Sequence, residues 1–303
     1  MGRTMYVRFS SGGCLLAALC ALLLPAGCAR EQGDIPERRI QAGWARYTEG
    51  DYALAIKEFD GALAGLPTNE LLRVQALYGL ATTWSLRRPG DDRARAAELY
   101  RAVLDTAPTS DLAAWSCLAL ARLKAVRTPG DEPDPGELQQ SYQDVIRQFP
   151  DHPAADEALL FQQAARLAKP NLPESRAVLE TLEEYLKTHP QSPYRSVAYR
   201  LVAHCCEVLA LKDKLLDATI QEWKTTEADP LGSAQDLSWT YWRIATVAEF
   251  EVGDFAMARD YYRKLIAEYP TEQRVFLAKQ ELLRMDDLEK RIRAEQEGKE
   301  AAR

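Results

Sequence analysis

Residues 253–270 read GDFAMARDYYRKLIAEYP, and this stretch decides the fold. Glycine favours the left-handed conformation that ends a helix, and the aspartate that follows is a preferred helix N-cap. Ala258, Tyr262 and Ile266 come at intervals of four, which places them on one face of a helix. Pro270 cannot continue that helix. The stretch therefore predicts a turn followed by an amphipathic helix that ends just before the proline.

The same ending recurs along the chain at a nearly constant interval. Six prolines are separated by 40 to 42 residues: Pro67, Pro108, Pro150, Pro190, Pro230 and Pro270. Eight residues before them stand Phe59, Tyr100, Tyr142, Leu182, Glu222 and Tyr262. Twelve residues before them stand Ala55, Ala96, Leu138, Val178, Ala218 and Ala258. A fixed period in this range is the mark of a repeat array, in which each repeat buries its apolar face against its neighbours.

A second helix lies upstream in each block. Gly50-Asp51-Tyr52 and Gly253-Asp254-Phe255 each separate two amphipathic runs, and Trp242 stands in the earlier run of the last block. These residues, with Gly43 in the first block, resemble the tetratricopeptide repeat, most clearly over 36–67 and 229–270. The resemblance implies an all-α fold, a right-handed α-solenoid of about six helix pairs over residues 36–270 whose first helices line a concave binding surface.

The period departs from the resemblance, because the tetratricopeptide repeat has about 34 residues. HEAT and armadillo repeats have the longer period and remain the architectural alternative, although the paired glycine-aspartate turns favour the tetratricopeptide repeat. We expect the extra residues in the turns inside blocks two to four, at 88–92, 129–136 and 169–173. The block that ends at Pro230 is degenerate, since Glu222 stands where an apolar residue is expected.

Residues 271–303 follow the array. A long helix is predicted over about 271–297, first amphipathic and then a mixed-charge tail. Arrays need a terminal cap, and this helix can provide it. A coiled-coil or partner-binding tail is the alternative.

Residues 1–27 have the pattern of a secretory signal peptide: a basic start, then an apolar run at 15–24 that is too short to span a bilayer. The Ala-Gly-Cys ending resembles a bacterial lipobox, which implies that Cys28 becomes the lipid-bearing first residue of a linker, 28–35. Ordinary cleavage after Ala29 is the alternative. The resemblance places the protein in the bacterial cell envelope, facing the periplasm, with the outer membrane as the expected location.

The inter-block junctions have a related pattern. Residues 149–159 and 189–194 contain Pro-Asp-x-Pro and Pro-Gln-x-Pro sequences. They are similar to the junctions of envelope repeat lipoproteins, such as the β-barrel assembly lipoprotein BamD and the Tol-Pal-associated repeat protein. This local resemblance implies partners among other envelope proteins.

Catalytic and metal-binding patterns are not found in the sequence. No zinc-protease, nucleophile-elbow, phosphate-loop or dinucleotide pattern occurs, so we expect no enzyme, cofactor or metal. A formal net charge of −7 argues against nucleic acid as a partner. Cys205 and Cys206 are expected to be buried inert thiols. His152 and His189 are expected in solvent-facing turns between blocks.

Binding is therefore predicted on the concave surface. Carried over from the tetratricopeptide pattern, the partner-binding residues would be Trp44, Tyr47, Trp84, Arg243, Val247 and Phe250. Exposed aromatic side chains with an arginine are typical of binding hot spots, whereas the same rings can also pack between repeats. The predicted function is a non-enzymatic scaffold that binds peptides or helices of other envelope proteins. The alternative is a module that recognises a cell-wall glycan or another non-protein ligand.

Overall fold

The computed structural model describes residues 35–66, 70–85, 92–126, 133–227 and 237–301. The predicted signal peptide, Cys28, Pro67 and Pro230 lie outside these residues. Every regular element in the described ranges is helical. None of the described helices combines the length and the apolar composition that crossing a bilayer requires.

Helices that are adjacent in the chain pack as antiparallel neighbours, giving six pairs within the described residues. The pairs are α1 (Pro36–Glu49) with α2 (Tyr52–Ala64), α3 (Glu70–Ser85) with α4 (Arg93–Thr106), α5 (Asp111–Lys124) with α6 (Pro135–Gln148), α7 (Pro153–Arg166) with α8 (Leu172–Thr188), α9 (Arg195–Val208) with α10 (Lys212–Glu227), and α11 (Ser238–Thr246) with α12 (Phe255–Glu268). A π-helical segment, Val247–Val252, extends α11. The last helix is α13 (Arg274–Ala301).

The glycine-aspartate turns form as the sequence predicts. Gly50 and Gly253 adopt φ values of 83° and 82°, the left-handed region that favours glycine. The side chain of Asp51 then accepts a hydrogen bond from the backbone N–H of Leu54 at 3.1 Å, and that of Asp254 accepts one from the backbone N–H of Met257 at 2.9 Å. Both caps satisfy N–H groups that a helix start leaves unpaired.

The repeating stripe is the core of the array. All six residues at the position eight before each proline are buried, including Glu222. At the position twelve before, five are buried and Leu138 is half-buried. The second helix of each pair thus ends two or three residues before its proline and buries the predicted face.

First helices of neighbouring pairs also contact one another: α1 with α3, α3 with α5, α5 with α7, and α7 with α9. They therefore form one continuous layer, and the second helices cover it. In pair four the extra residues lie between the two helices, as predicted, because α7 and α8 are joined by 167–171 whereas α1 and α2 are joined by 50–51. The insertions predicted at 88–92 and 129–136 lie in part outside the described residues. The result is an all-α solenoid.

The terminal helix α13 packs on α12 through Val275, Ala278 and Met285. It begins three residues later than the sequence predicts and is longer at its other end. Its opposite face is apolar rather than polar at the start, since Phe276 and Leu283 are exposed. Residues 291–297 are exposed on all sides, in agreement with the predicted charged tail.

Candidate protein-interaction surface

The three predicted binding residues near the N-terminus lie among other rings. Trp44 on α1 makes edge contacts with Phe59 and Tyr47, at ring-centre distances of 5.3 and 5.6 Å. Tyr47 in turn contacts Tyr52 at 5.8 Å. Trp84 is half-buried, and the guanidinium of Arg95 lies 5.0 Å from its ring. Their use in partner binding stays a prediction, and their packing between helices is what the structure shows.

The three predicted residues in block six differ in exposure. Val247 is buried in the core. Arg243 on α11 points to Glu222 on α10, with 3.8 Å between Nη1 and Oε2. Phe250 is 56 % exposed, and among the six predicted residues it alone is classed as exposed. The structure therefore separates Phe250 from the rest of the predicted set.

Another exposed aromatic residue lies on α11, the helix that the π-helical segment with Phe250 extends. Trp239 lies one turn before Arg243 on α11 and is 54 % exposed. The guanidinium of Arg274 lies 5.1 Å from the Trp239 ring, and that of Arg284 lies 5.0 Å from the Phe250 ring. Both arginines belong to α13. Sequence reasoning missed Trp239, although its spacing of four from Arg243 was the available signal.

These contacts define what we call the α11–α13 surface: Trp239, Phe250, Arg274, Leu277 and Arg284. Leu277 belongs to it because residues three and seven apart on a helix share a face, so it lies between Arg274 and Arg284 on α13. It is also exposed. The surface has two open rings and one open aliphatic side chain, each beside an arginine.

A buried carboxylate positions Arg284. Glu249, in the π-helical segment, is almost completely buried and accepts a hydrogen bond from the Tyr262 hydroxyl at 2.9 Å. Arg284 donates to the same carboxylate, and it also donates to Glu281 at 2.6 Å. Burial raises the pKa of Tyr262, so it stays a neutral donor. The guanidinium that stacks on Phe250 is thus held from beneath by a buried ion pair.

The neighbouring Glu222 is the residue that made block five look degenerate. Its Oε1 accepts a hydrogen bond from Arg200 Nε at 2.7 Å, while Arg243 approaches its other oxygen. Arg200 lies on α9 and Arg243 on α11, so one carboxylate ties together the first helices of two successive pairs. The unexpected glutamate and the predicted binding arginine are parts of one interaction.

The two histidines expected in solvent-facing turns differ in exposure: His152 is half-buried, whereas His189 is exposed as expected, and both have specific partners. His152 Nδ1 accepts from the Ala154 N–H at 3.0 Å, which leaves Nε2 to donate to Asp111 at 2.7 Å. His189 stacks on Tyr185, with ring centres 4.7 Å apart. Repeat junctions place these side chains against the preceding helix, which the sequence pattern does not reveal.

The cysteines lie as predicted. Cys205 and Cys206 are fully buried, and burial followed by the neighbouring thiol raises the pKa of Cys205 to about 12. They are therefore unreactive thiols at neutral pH. Within the described ranges, no group of three histidine, cysteine or acidic side chains is arranged to hold a metal ion.

Comparisons with known proteins agree with this geometry. Residues 239–271 match the family model of the tetratricopeptide repeat. The solved structure of PilW, a widely conserved type IV pilus biogenesis factor, is 18 % identical with a TM-score of 0.53, covering 82 % of this chain and 98 % of PilW. The C-terminal part of a repeat-containing protein from Cytophaga hutchinsonii is 12 % identical with a TM-score of 0.53, covering 82 % and 89 %.

No curated protein matches the sequence. The comparisons do not confirm the local resemblance to the envelope lipoproteins, which stays an expectation. At these identities the solved structures establish the fold alone. The chain contains a tetratricopeptide repeat at residues 239–271 and has the fold of tetratricopeptide-repeat solenoids.

Proposed function

We propose that this protein is a non-enzymatic scaffold of the bacterial cell envelope that binds a peptide or helix of a partner protein on the α11–α13 surface. The observation that carries the proposal is the exposure of Trp239 on α11 and of Phe250 on the π-helical segment that extends it, each beside an arginine of α13. Buried apolar side chains are the default in a folded core, so two open rings on one surface favour an interaction role. Aromatic residues and arginine are also the residues most enriched at binding hot spots.

The envelope setting is inferred from the N-terminal sequence. A lipid on Cys28 would hold the protein at the membrane, with the outer membrane as the proposed site and the solenoid facing the periplasm. PilW is described as a type IV pilus biogenesis factor, and assembly of proteins at the envelope is the comparable role that we infer here. An acidic chain is unsuited to nucleic acid, and other envelope proteins are the partners that we propose.

The test is crosslinking in cells with the full-length protein, followed by capture and identification of the bound proteins. Phe250→Ala and Trp239→Ala should each reduce a reproducible set of crosslinked partners severalfold. Phe276→Ala is the matched control, because Phe276 is also an exposed ring but lies on the face of α13 opposite α12, outside the α11–α13 surface. Cys28→Ala should release the protein from the membrane fraction and reduce the same set.

Two results would contradict the proposal. Equal partner sets for wild type, Phe250→Ala and Trp239→Ala would remove the role of this surface. A loss of crosslinked partners in Phe276→Ala but not in Phe250→Ala or Trp239→Ala would assign binding to the exposed face of α13 instead.

The exposed indole of Trp239 also favours a second candidate, recognition of a cell-wall glycan, since sugars stack on open aromatic faces. Sedimentation with purified peptidoglycan separates the two functions. A protein scaffold stays in solution, whereas a glycan-binding module sediments and loses that property in Trp239→Ala.

A further inference from the structure

A second surface lies in helix pairs two and three, where α4, α5 and α6 line an open groove with a volume of about 490 Å³. Its floor is apolar and consists mainly of short side chains: Ala94, Ala97, Leu120, Ala121 and Leu123. Its polar lining consists of Arg93, Arg101, Cys117, Lys124, Ser141 and Asp144. We call this feature the α4–α6 groove. It shares no residue with the α11–α13 surface.

The groove is locally basic in an acidic protein. Arg101 and Lys124 are exposed, and no described carboxylate lies within ion-pair distance of either side chain. Lys124 donates only to the Ser141 hydroxyl, at 3.0 Å. The one acidic residue of the lining, Asp144, already pairs with Arg147 at 2.7 Å. The positive charges of Arg101 and Lys124 are therefore left for a ligand.

The shape of the groove favours a helix over a small molecule. Small-molecule sites enclose most of their ligand, whereas here only Ala121 of the lining is buried. Ala94 and Ala97 on α4 present little bulk, so another helix can approach α4 closely. At 14 residues, α4 is about 21 Å long, which accommodates three to four turns of a parallel helix.

We propose that the α4–α6 groove binds an amphipathic helix of a partner protein, with apolar side chains against the alanine-rich floor and aspartate or glutamate side chains against Arg101 and Lys124. Helix-in-groove recognition needs an apolar stripe for affinity and flanking charges for specificity. Because the whole chain has a formal net charge of −7, a local basic patch favours an acidic helix over a basic one against the net negative charge of the protein.

The binding test uses two synthetic helical peptides with the same leucine stripe, one flanked by glutamates and the other by lysines. Fluorescence anisotropy measures their affinity for the full-length protein. The acidic peptide should bind at least tenfold more tightly than the basic one at low salt, and added salt should reduce the difference. Arg101→Glu should abolish the preference, because it neutralises the net positive charge of the lining, whereas Arg101→Lys should keep it.

Arg263→Glu is the matched control. Arg263 stands seven residues before Pro270, as Arg101 stands seven before Pro108, and it is equally a surface residue of a second helix. It should leave the affinity for the acidic peptide unchanged. Phe250→Ala should do the same, which separates a failure of this proposal from a failure of the α11–α13 surface.

Cys117 reports where the peptide binds, because its half-buried thiol lines the groove. Bound acidic peptide should slow alkylation of Cys117 severalfold, measured by mass spectrometry of the Cys117 peptide at fixed pH. Three results would overturn the proposal: equal affinity for both peptides, binding that Arg101→Glu leaves unchanged, or a Cys117 thiol that reacts equally with and without peptide. A thiol that does not react even in the free protein would also contradict an open groove.

Discussion

The first two helix pairs and the last two solve the same packing problem with different chemistry. In the first region Phe59 on α2 lies between two glycines, Gly43 on its own partner helix α1 and Gly79 on the next first helix, α3. In the second region Glu222 on α10 occupies the same repeat position and is held by Arg200 on α9 and Arg243 on α11. Each side chain touches the first helices of two successive pairs. The repeat therefore requires a side chain that joins three helices, and either a ring or an ion pair meets that requirement.

The two regions also differ in which rings remain open. Trp44 and Tyr47 near the N-terminus contact other rings and belong to the packing around Phe59. At the other end rings also pack together, since Trp223, Tyr241 and Tyr261 contact one another, but Trp239 and Phe250 stay exposed there. One repeat pattern thus produces packed aromatic clusters at both ends and, beside the C-terminal one, an open aromatic surface.

Phe59→Ala should have the largest effect on stability. Phe59 is fully buried, and its removal leaves a cavity between three helices because the two glycines cannot fill it. Truncation of a buried phenylalanine costs about 3–5 kcal/mol. Urea unfolding followed by circular dichroism measures the change, with Phe250→Ala as the exposed control, which should cost less than about 1 kcal/mol. Similar costs for both variants would contradict the contrast between the two ends.

The packed stripe could be predicted from the sequence because its periodicity is local and repeats six times. The caps at Asp51 and Asp254 were equally visible, since a cap depends on residues within one turn. The partner of Arg243 was not visible, because Glu222 lies 21 residues away on another helix and the contact depends on the rotation between repeats. The π-helical segment that presents Phe250 was missed as well, because the expected positions assumed regular α-helical spacing.

Glu222→Ala should have the next largest effect. It leaves the guanidinium groups of Arg200 and Arg243 without their buried carboxylate. Loss of one member of a buried ion pair costs about 3–5 kcal/mol, and both arginines are partly exposed, so we expect about 2 kcal/mol. Glu222→Leu restores the apolar residue of the other blocks and should cost less than Glu222→Ala in the same unfolding measurement. A larger cost for leucine would mean that the ionic contact cannot be replaced by packing.

Gly79→Ala tests the close approach in the first region. A Cβ atom at Gly79 would overlap the Phe59 ring, which is fixed between helices, and overpacking of this kind costs about 1–3 kcal/mol. Gly61→Ala is the matched control, because there the added methyl meets only the mobile end of the Arg39 side chain. Alanine in a helix is favoured over glycine by about 1 kcal/mol, so Gly61→Ala should be neutral or stabilising. If Gly79→Ala and Gly61→Ala destabilise the protein to the same extent, close packing of the Phe59 ring does not require glycine at position 79.

The smallest expected effect is a change in pH dependence at Glu157, the carboxylate that joins α5, α7 and the start of α9 through Arg122 and the Tyr194 hydroxyl. Burial raises the pKa of Glu157 above its ordinary value of 4.5, against the lowering effect of Arg122. Below pH 4.5 the group is protonated in the folded and unfolded states alike, and the folded state keeps the proton to higher pH. The contribution of Glu157 to the free energy of unfolding is therefore present at low pH and is lost as the pH rises through the raised pKa.

Unfolding of wild type and Glu157→Gln at a series of pH values should show wild type losing stability relative to the variant across that window. Glu98→Gln, at an exposed site on α4, should show no such trend. If the free energies of unfolding of wild type and Glu157→Gln change with pH in parallel, Arg122 and Tyr194 offset the effect of burial on the pKa of Glu157. The ion pair at Glu157 would then contribute as little pH dependence to stability as the aromatic packing around Phe59.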